Sequence, residues 1–353
     1  MNQTLLLALL AIATSAAAQP FNSGSTGADG PLELTKPGTV TFDPRSFNPP
    51  LNPAGDNIFH FTTIHVGIGV TVKLSAKALI RPVFWLAEGP VQIDGRIDLS
   101  GSDGDRVPSL AGAGGYGGGA VGKRASGPVG FTPNIFLVPL VGGFGGDGGE
   151  TRAGGAGGGA LLIASSAFIN VNGSISGDGG NSVDGVGGGG GAIRLVAPVI
   201  SGATGVLSAK GGQPQGADGF VRLEAFDNQF KGSLNGTPSA VGKPFGLFLP
   251  PNPPASVRVV SIGGRAVSTS EFKINQQGPA IVAIEAHFIP TGTVLQLELF
   301  SEDGNSQTIA VTPLAGTFEL SHATASITPP IGLIHAQVKG VWKHPERSPL
   351  PDR

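Results

Sequence analysis

An ungapped self-similarity at an offset of 32 residues constrains this chain more than any other feature. Residues 160–180 read ALLIASSAFINVNGSISGDGG, and residues 192–212 read AIRLVAPVISGATGVLSAKGG. Ile163 falls on Leu195, Phe168 on Ile200, Ile175 on Leu207 and Gly173 on Gly205, and both copies close on Gly-Gly. A third copy, residues 83–101, aligns at an offset of 78, with Gly95 on Gly173 and Ile97 on Ile175. Residues 220–225 (FVRLEA) echo residues 192–197 (AIRLVA), and residues 59–76 read as a degenerate first copy.

Each copy is a run of short alternating strands broken at glycine, which puts one set of side chains inward and the other outward. Val91, Ile93, Ile97 and Leu99 are expected inside, and Asp94, Arg96 and Asp98 outside. One such rung cannot bury its apolar face alone, but stacked rungs bury it against each other. The expected fold class is therefore all-β: a right-handed parallel β-helix with a glycine-rich insertion, followed by a small β-sandwich domain. A β-sandwich built from the same strands is the alternative, but it gives no reason for the ungapped repeat.

Gly 59 and Pro 29 make up a quarter of the 353 residues, and only 13% are charged. Glycine shows no strict every-third period, so collagen is excluded. The low charge also excludes a highly charged disordered chain. Residues 101–158 hold 21 glycines, and a shorter glycine-rich piece spans residues 177–191. Having little to bury, such segments either stay as loops or pack backbone to backbone as polyproline-II-like strands. In composition they are similar to the glycine-rich bundles of some phage adhesins and receptor ectodomains.

Residues 5–13 (LLLALLAIA), followed by Ala16 and Ala18, fit a secretory signal with cleavage after Ala18. The run is too short for a membrane span, and the mature chain shows no other candidate. Cys is zero, so there is no disulfide framework and no thiol chemistry. The expected organisation is a signal peptide at 1–18, an N-terminal cap at 19–57 and repeats at 58–242. A Pro-rich linker at 243–255, a sandwich at 256–342 and a polar tail at 343–353 follow. In the sandwich, Val282, Ile284, Ala286 and Phe288 share one face, as do Leu295, Leu297 and Leu299, and Ile334, Ala336, Val338 and Trp342.

Taken together, the rungs, glycine corners and appended strands resemble uncharacterised secreted bacterial proteins with pectate-lyase-like right-handed β-helices. The carboxy-terminal part resembles a fibronectin-III- or immunoglobulin-like domain. The resemblance rests on pattern, not on a specific motif, and a fold carries no activity with it.

Several residues are candidates for chemistry. Arg194 and Arg222 occupy equivalent repeat positions on the outer parity with Glu224 nearby. They read either as a polysaccharide-lyase base or as a solvated Arg–Glu face. Residues 142–147 (GGFGGD) match the start of a calcium-binding nonapeptide in a single copy. That makes Asp147, Asp178 and Asp184 candidate calcium ligands, although Asp in glycine-rich turns is also ordinary turn chemistry. No other cofactor is expected. Tyr116 and Phe144, set among glycines, are candidates for stacking on sugars, whereas Trp85 aligns with Ile163 and Leu195 and is expected in the core. The six His form no metal motif, and no nucleophile elbow is present. A net charge of −2 argues against nucleic acid as a partner.

The expected function is a secreted, non-enzymatic surface, matrix or adhesion protein whose partner is a polysaccharide or cell-surface component. An enzyme cutting acidic polysaccharide on the outer face and a calcium-stiffened binding module are the alternatives.

Overall fold

The computed structural model describes residues 21–52, 55–105, 109–125, 127, 134–236, 239–250, 255–267, 278–301, 306–329 and 334–340. Two compact units divide at Leu249 and Pro250. No α-helix occurs among the described residues, and no helix is long and apolar enough to cross a membrane. The proposed signal peptide and the polar tail lie outside the described residues.

The first unit contains fifteen strands, in chain order β1 (Gly30–Leu34), β2 (Gly38–Thr41), β3 (Ile58–Val66), β4 (Val70–Lys73), β5 (Val83–Ala87), β6 (Val91–Ile93), β7 (Arg96–Asp98), β8 (Ala160–Ser165), β9 (Phe168–Val171), β10 (Ser174–Ser176), β11 (Ala192–Gly202), β12 (Val206–Ser208), β13 (Phe220–Phe230), β14 (Ser233–Asn235) and β15 (Ser239–Gly242). They form two all-parallel sheets. The nine-stranded sheet runs β15-β13-β11-β8-β5-β3-β6-β9, with β1 on β3; the six-stranded sheet runs β14-β12-β10-β7-β4-β2. The repeat offsets are the strand registers: Leu195 pairs with Ile163 and Trp85 with Ile163.

The ungapped alignment fails at one place. Ile200 pairs with Ile169, not Phe168, so β9 is shifted by one residue relative to β8 on the unbroken β11. Such a bulge exchanges the two faces of a strand. Ile169 is buried and Phe168 is 40% exposed, the reverse of the expected placement. A similar interruption separates β5 from β6 on the unbroken β3. Because β3 and β11 each bridge two short strands, the pairings close a six-strand ring, β3-β5-β8-β11-β9-β6. These pairings are not those of a plain right-handed β-helix of the pectate-lyase kind, because the ring closes the sheet that a β-helix leaves open, so the expected resemblance does not hold.

The inward faces of the two sheets share one core. Val83, Trp85, Leu161, Ile163, Ile193 and Leu195 meet Val72, Ile97, Ile175 and Leu207. Trp85 sits there fully buried, as expected, against Phe42 and Phe61. Val91, Ile93, Ile97 and Leu99 are also buried. The outer face of the nine-stranded sheet is not solvated. Phe84, Leu86, Leu162, Ala164 and Val196 form a second core there under Leu137 and Leu140, with Leu247 and Leu249 packed on it. Burial on both faces accounts for the continuous apolar runs VFWLA and ALLIA, which a half-exposed strand would not tolerate.

Among the described residues, the glycine-rich segments are bonded backbone to backbone. Along residues 153–159 successive amides donate in rotation to three neighbouring segments. Ala153, Ala156 and Gly159 donate to Asp105, Ser102 and Leu99; Gly154 and Gly157 to Gly119 and Tyr116; Gly155 and Gly158 to Val186 and Gly189. The same segment accepts from Gly143, Gly146 and Gly180. Three residues per turn with outward-pointing amides is the geometry of polyproline II, here packed as a bundle. Neighbouring segments approach so closely that a Cβ on Gly154 would lie 1.8 Å from the Gly146 carbonyl oxygen, and one on Gly157 would lie 1.9 Å from that of Gly143. Ala153 and Ala156, three residues apart, are both fully buried. Residues 209–219 add a further pair of segments through Gly187–Pro214 and Gly190–Ala217 bonds, beyond the expected limits of the insertion.

The second unit contains β16 (Ser256–Ile262), β17 (Arg265–Ala266), β18 (Ala280–His287), β19 (Leu295–Ser301), β20 (Ser306–Ala310), β21 (Ala315–Gly316), β22 (Ser321–Ile327) and β23 (Ile334–Gly340). These make two antiparallel sheets, β17-β16-β18-β22-β21 and β20-β19-β23. Val282, Ile284, Ala286, Leu295, Leu297 and Leu299 are buried in one cluster with Ala323 and Ala325. Phe288 departs from the expected face. Its φ of 55° turns the chain, so Ile289 enters the core instead and Phe288 packs edge-on against Phe318. Val338 packs against the core, whereas Trp342 and the side chains of Ile334 and Ala336 lie outside the description.

Candidate binding site

Tyr116 and Phe144 lie on neighbouring segments of the glycine bundle, joined where the Tyr116 amide donates to the Gly143 carbonyl at 3.0 Å. The two rings are stacked, with centroids 6.3 Å apart and planes inclined by 24°. Both are half-buried. Partial burial raises the Tyr116 phenol above its ordinary value, so the hydroxyl is protonated and can donate at neutral pH. The platform is held by backbone, because the Phe144 carbonyl accepts from Gly189 at 2.7 Å and the Tyr116 carbonyl from Gly157 at 2.8 Å. Two aromatic rings on a rigid surface can cover the C–H face of a sugar, and the phenol supplies a polar handle. The sequence singled out both residues for their glycine surroundings, but gave no sign that they were neighbours.

Arg194, Arg222 and Glu224 do share the outer parity of the sheet, as read from the sequence. The solvated face expected for them is corrected: Arg194 is 1% exposed, Arg222 8% and Glu224 0%. Arg194 grips Glu224 through two bonds, Nε–Oε1 at 2.9 Å and Nη2–Oε2 at 3.1 Å, and Arg222 Nε reaches Oε1 at 2.7 Å. Phe245 covers the Arg194 guanidinium at 4.4 Å, and Phe136 lies 5.1 Å from that of Arg222. The cover comes from segments 135–140 and 245–249, whose docking no repeat pattern could signal. Sealed and mutually paired, these groups hold the fold rather than a reacting polymer.

The acidic candidates are also engaged. Asp147 accepts from the Ala125 amide at 2.7 Å. Asp178 accepts from the Ser208 hydroxyl at 2.6 Å and the Lys210 amide at 2.7 Å. Asp184 accepts from the Thr151 hydroxyl at 2.6 Å, the Thr151 amide at 2.7 Å and the Arg152 amide at 3.1 Å. The Thr151 hydroxyl, ahead of the backbone donors, holds Asp184 below the ordinary aspartate value. Each carboxylate ties one glycine-rich segment to another. Among the described residues no three metal-ligating side chains come together.

No family model, no curated protein and no solved structure matches this chain. Neither the pectate-lyase-like resemblance nor the fibronectin- or immunoglobulin-like one finds support in any of these comparisons.

Proposed function

We propose that this is a secreted, non-catalytic surface or matrix protein that binds polysaccharide through Tyr116 and Phe144. The observation that carries this reading is the pairing of two half-buried aromatic rings on neighbouring, backbone-bonded segments of the glycine bundle. In this reading the parallel stack is a solenoid-like scaffold, the glycine bundle is its presenting surface, and the second unit is a small sandwich serving as a spacer. Rigid presentation favours a weak-contact ligand such as a sugar, because little ordering entropy is lost on binding.

The test is co-sedimentation of residues 19–353 with insoluble and gelled polysaccharides, assaying each supernatant for released sugar. The expected result is binding without release, weakened about tenfold or more in the Tyr116→Ala/Phe144→Ala variant, equivalent to about 1.4 kcal/mol. Release of sugar, or binding indifferent to both substitutions, overturns the reading. Mass spectrometry of the exported chain tests the compartment, with an amino terminus at Gln19 expected.

A further inference from the structure

We propose that Asn235 is a site of spontaneous deamidation, left open by the end of the parallel stack, while the same dipeptide at Asn172 is held closed. Asn-Gly occurs twice in the chain, at Asn172–Gly173 and at Asn235–Gly236. A glycine after asparagine puts no Cβ beside the backbone nitrogen, so that nitrogen can reach the side-chain carbonyl carbon. The glycine nitrogen gives its proton to hydroxide and bonds to the Asn Cγ, and the side-chain nitrogen leaves as ammonia. Water then opens the cyclic imide at either carbonyl, giving aspartate or isoaspartate. The sum is carboxamide plus water to carboxylic acid plus ammonia, with no other reactant.

The two sites differ in what the fold does with the reacting atoms. At Asn172 they are all held. The Asn172 and Gly173 amides both donate to the Ile93 carbonyl at 2.9 Å. Asn172 Nδ2 donates to Asn170 Oδ1 at 2.8 Å and to Asp94 Oδ1 at 3.3 Å. Its Oδ1 accepts from the Ala203 amide at 3.2 Å, and its carbonyl accepts from the Thr204 hydroxyl at 2.9 Å. At Asn235 the position in the stack decides. In the six-stranded sheet, the residue after each short strand donates its amide to the next rung: Leu74 to Asp98, Leu99 to Ser176, Gly177 to Ser208 and Ala209 to Asn235. Gly236 holds that position after β14, which is the edge strand, so no rung follows to accept from it. Among the described residues, neither the Gly236 amide nor the Asn235 side chain is held by a hydrogen bond. Asn235 is half-buried rather than sealed. To cyclise, Asn235 must loosen its strand at the free edge, where its carbonyl accepts from Ala209 at 2.6 Å. Asn172 must break its whole set of bonds inside the stack, a costlier opening.

The experiment is ageing of the full chain at neutral and mildly alkaline pH, followed by peptide mapping with mass spectrometry and isoaspartyl methyltransferase labelling. Aspartate and isoaspartate are expected at position 235, forming at least about tenfold faster than at 172. The rate should rise at alkaline pH, because the reacting amide nitrogen must lose its proton. In denaturant the two sites should convert at similar rates, since each is followed by glycine and then a hydroxyl residue. Asn235→Gln, whose longer side chain closes the ring poorly, should remove most of the isoaspartate from the aged chain. Equal rates at the two sites in the folded chain, faster conversion at 172, no conversion at 235, or isoaspartate unchanged in Asn235→Gln overturns the proposal.

Discussion

The parallel sheets and the glycine bundle of the first unit solve the same packing problem in opposite ways. On the sheet side, Val, Ile, Leu and aromatic side chains fill the space between β-strands, and apolar burial supplies the stabilisation. On the bundle side there is almost nothing to bury except backbone. Segments there approach to the distance at which a methyl group no longer fits, and amides donate in rotation to three neighbours. The sheet side should therefore be broken by removing atoms, and the bundle by adding them.

The largest effect is expected where the sheet side departs from its own rule. Glu224→Ala leaves Arg194 and Arg222 buried without their partner, which should cost about 3–5 kcal/mol in denaturant unfolding. Leu195→Ala opens a cavity in the fully buried core and should cost about 2–5 kcal/mol. Gly157→Ala adds one methyl 1.9 Å from the Gly143 carbonyl oxygen, and should cost about 1–3 kcal/mol, with lost amide protection confined to the bundle. Gly246→Ala is the matching control, with nothing within 4 Å of its Cβ, and should stay within about 0.5 kcal/mol of the parent.

The smallest effect concerns pH. The folded state holds Asp184 below its ordinary value of 3.8, so its contribution is complete above that value and is lost as pH falls towards the lower folded value. Melting scans of the parent chain and Asp184→Asn across that interval should converge at the acid end. Parallel curves would show that Asp184 does not tie Thr151 and Arg152 in place.

Legibility in the sequence followed the same division. The rungs were readable because aliphatic residues recur at fixed offsets, and those offsets became strand registers at Trp85, Ile163 and Leu195. The one-residue bulge before Phe168 was not readable, since Phe168 and Ile169 are both apolar and either could face inward. The same degeneracy hid the turn at Phe288, where a positive φ hands the core position to Ile289. In the bundle, the period-three alanines at 153 and 156 were the available signal for polyproline II geometry. Arg194, Arg222 and Glu224 were placed on the correct face, but the segments that seal them come from residues 135–140 and 245–249. Contacts of that kind leave no local pattern.

The described glycine-rich segments form an ordered bundle that carries Tyr116 and Phe144. Residue-resolved amide hydrogen exchange tests it most directly. Gly154, Gly155, Ala156, Gly157 and Gly158 each donate within the bundle, so all five amides should be protected to a degree comparable with Leu161 and Ile163 in β8. Exchange at the rate of an open chain along residues 153–159, with β8 still protected, would contradict the account and return these segments to loops.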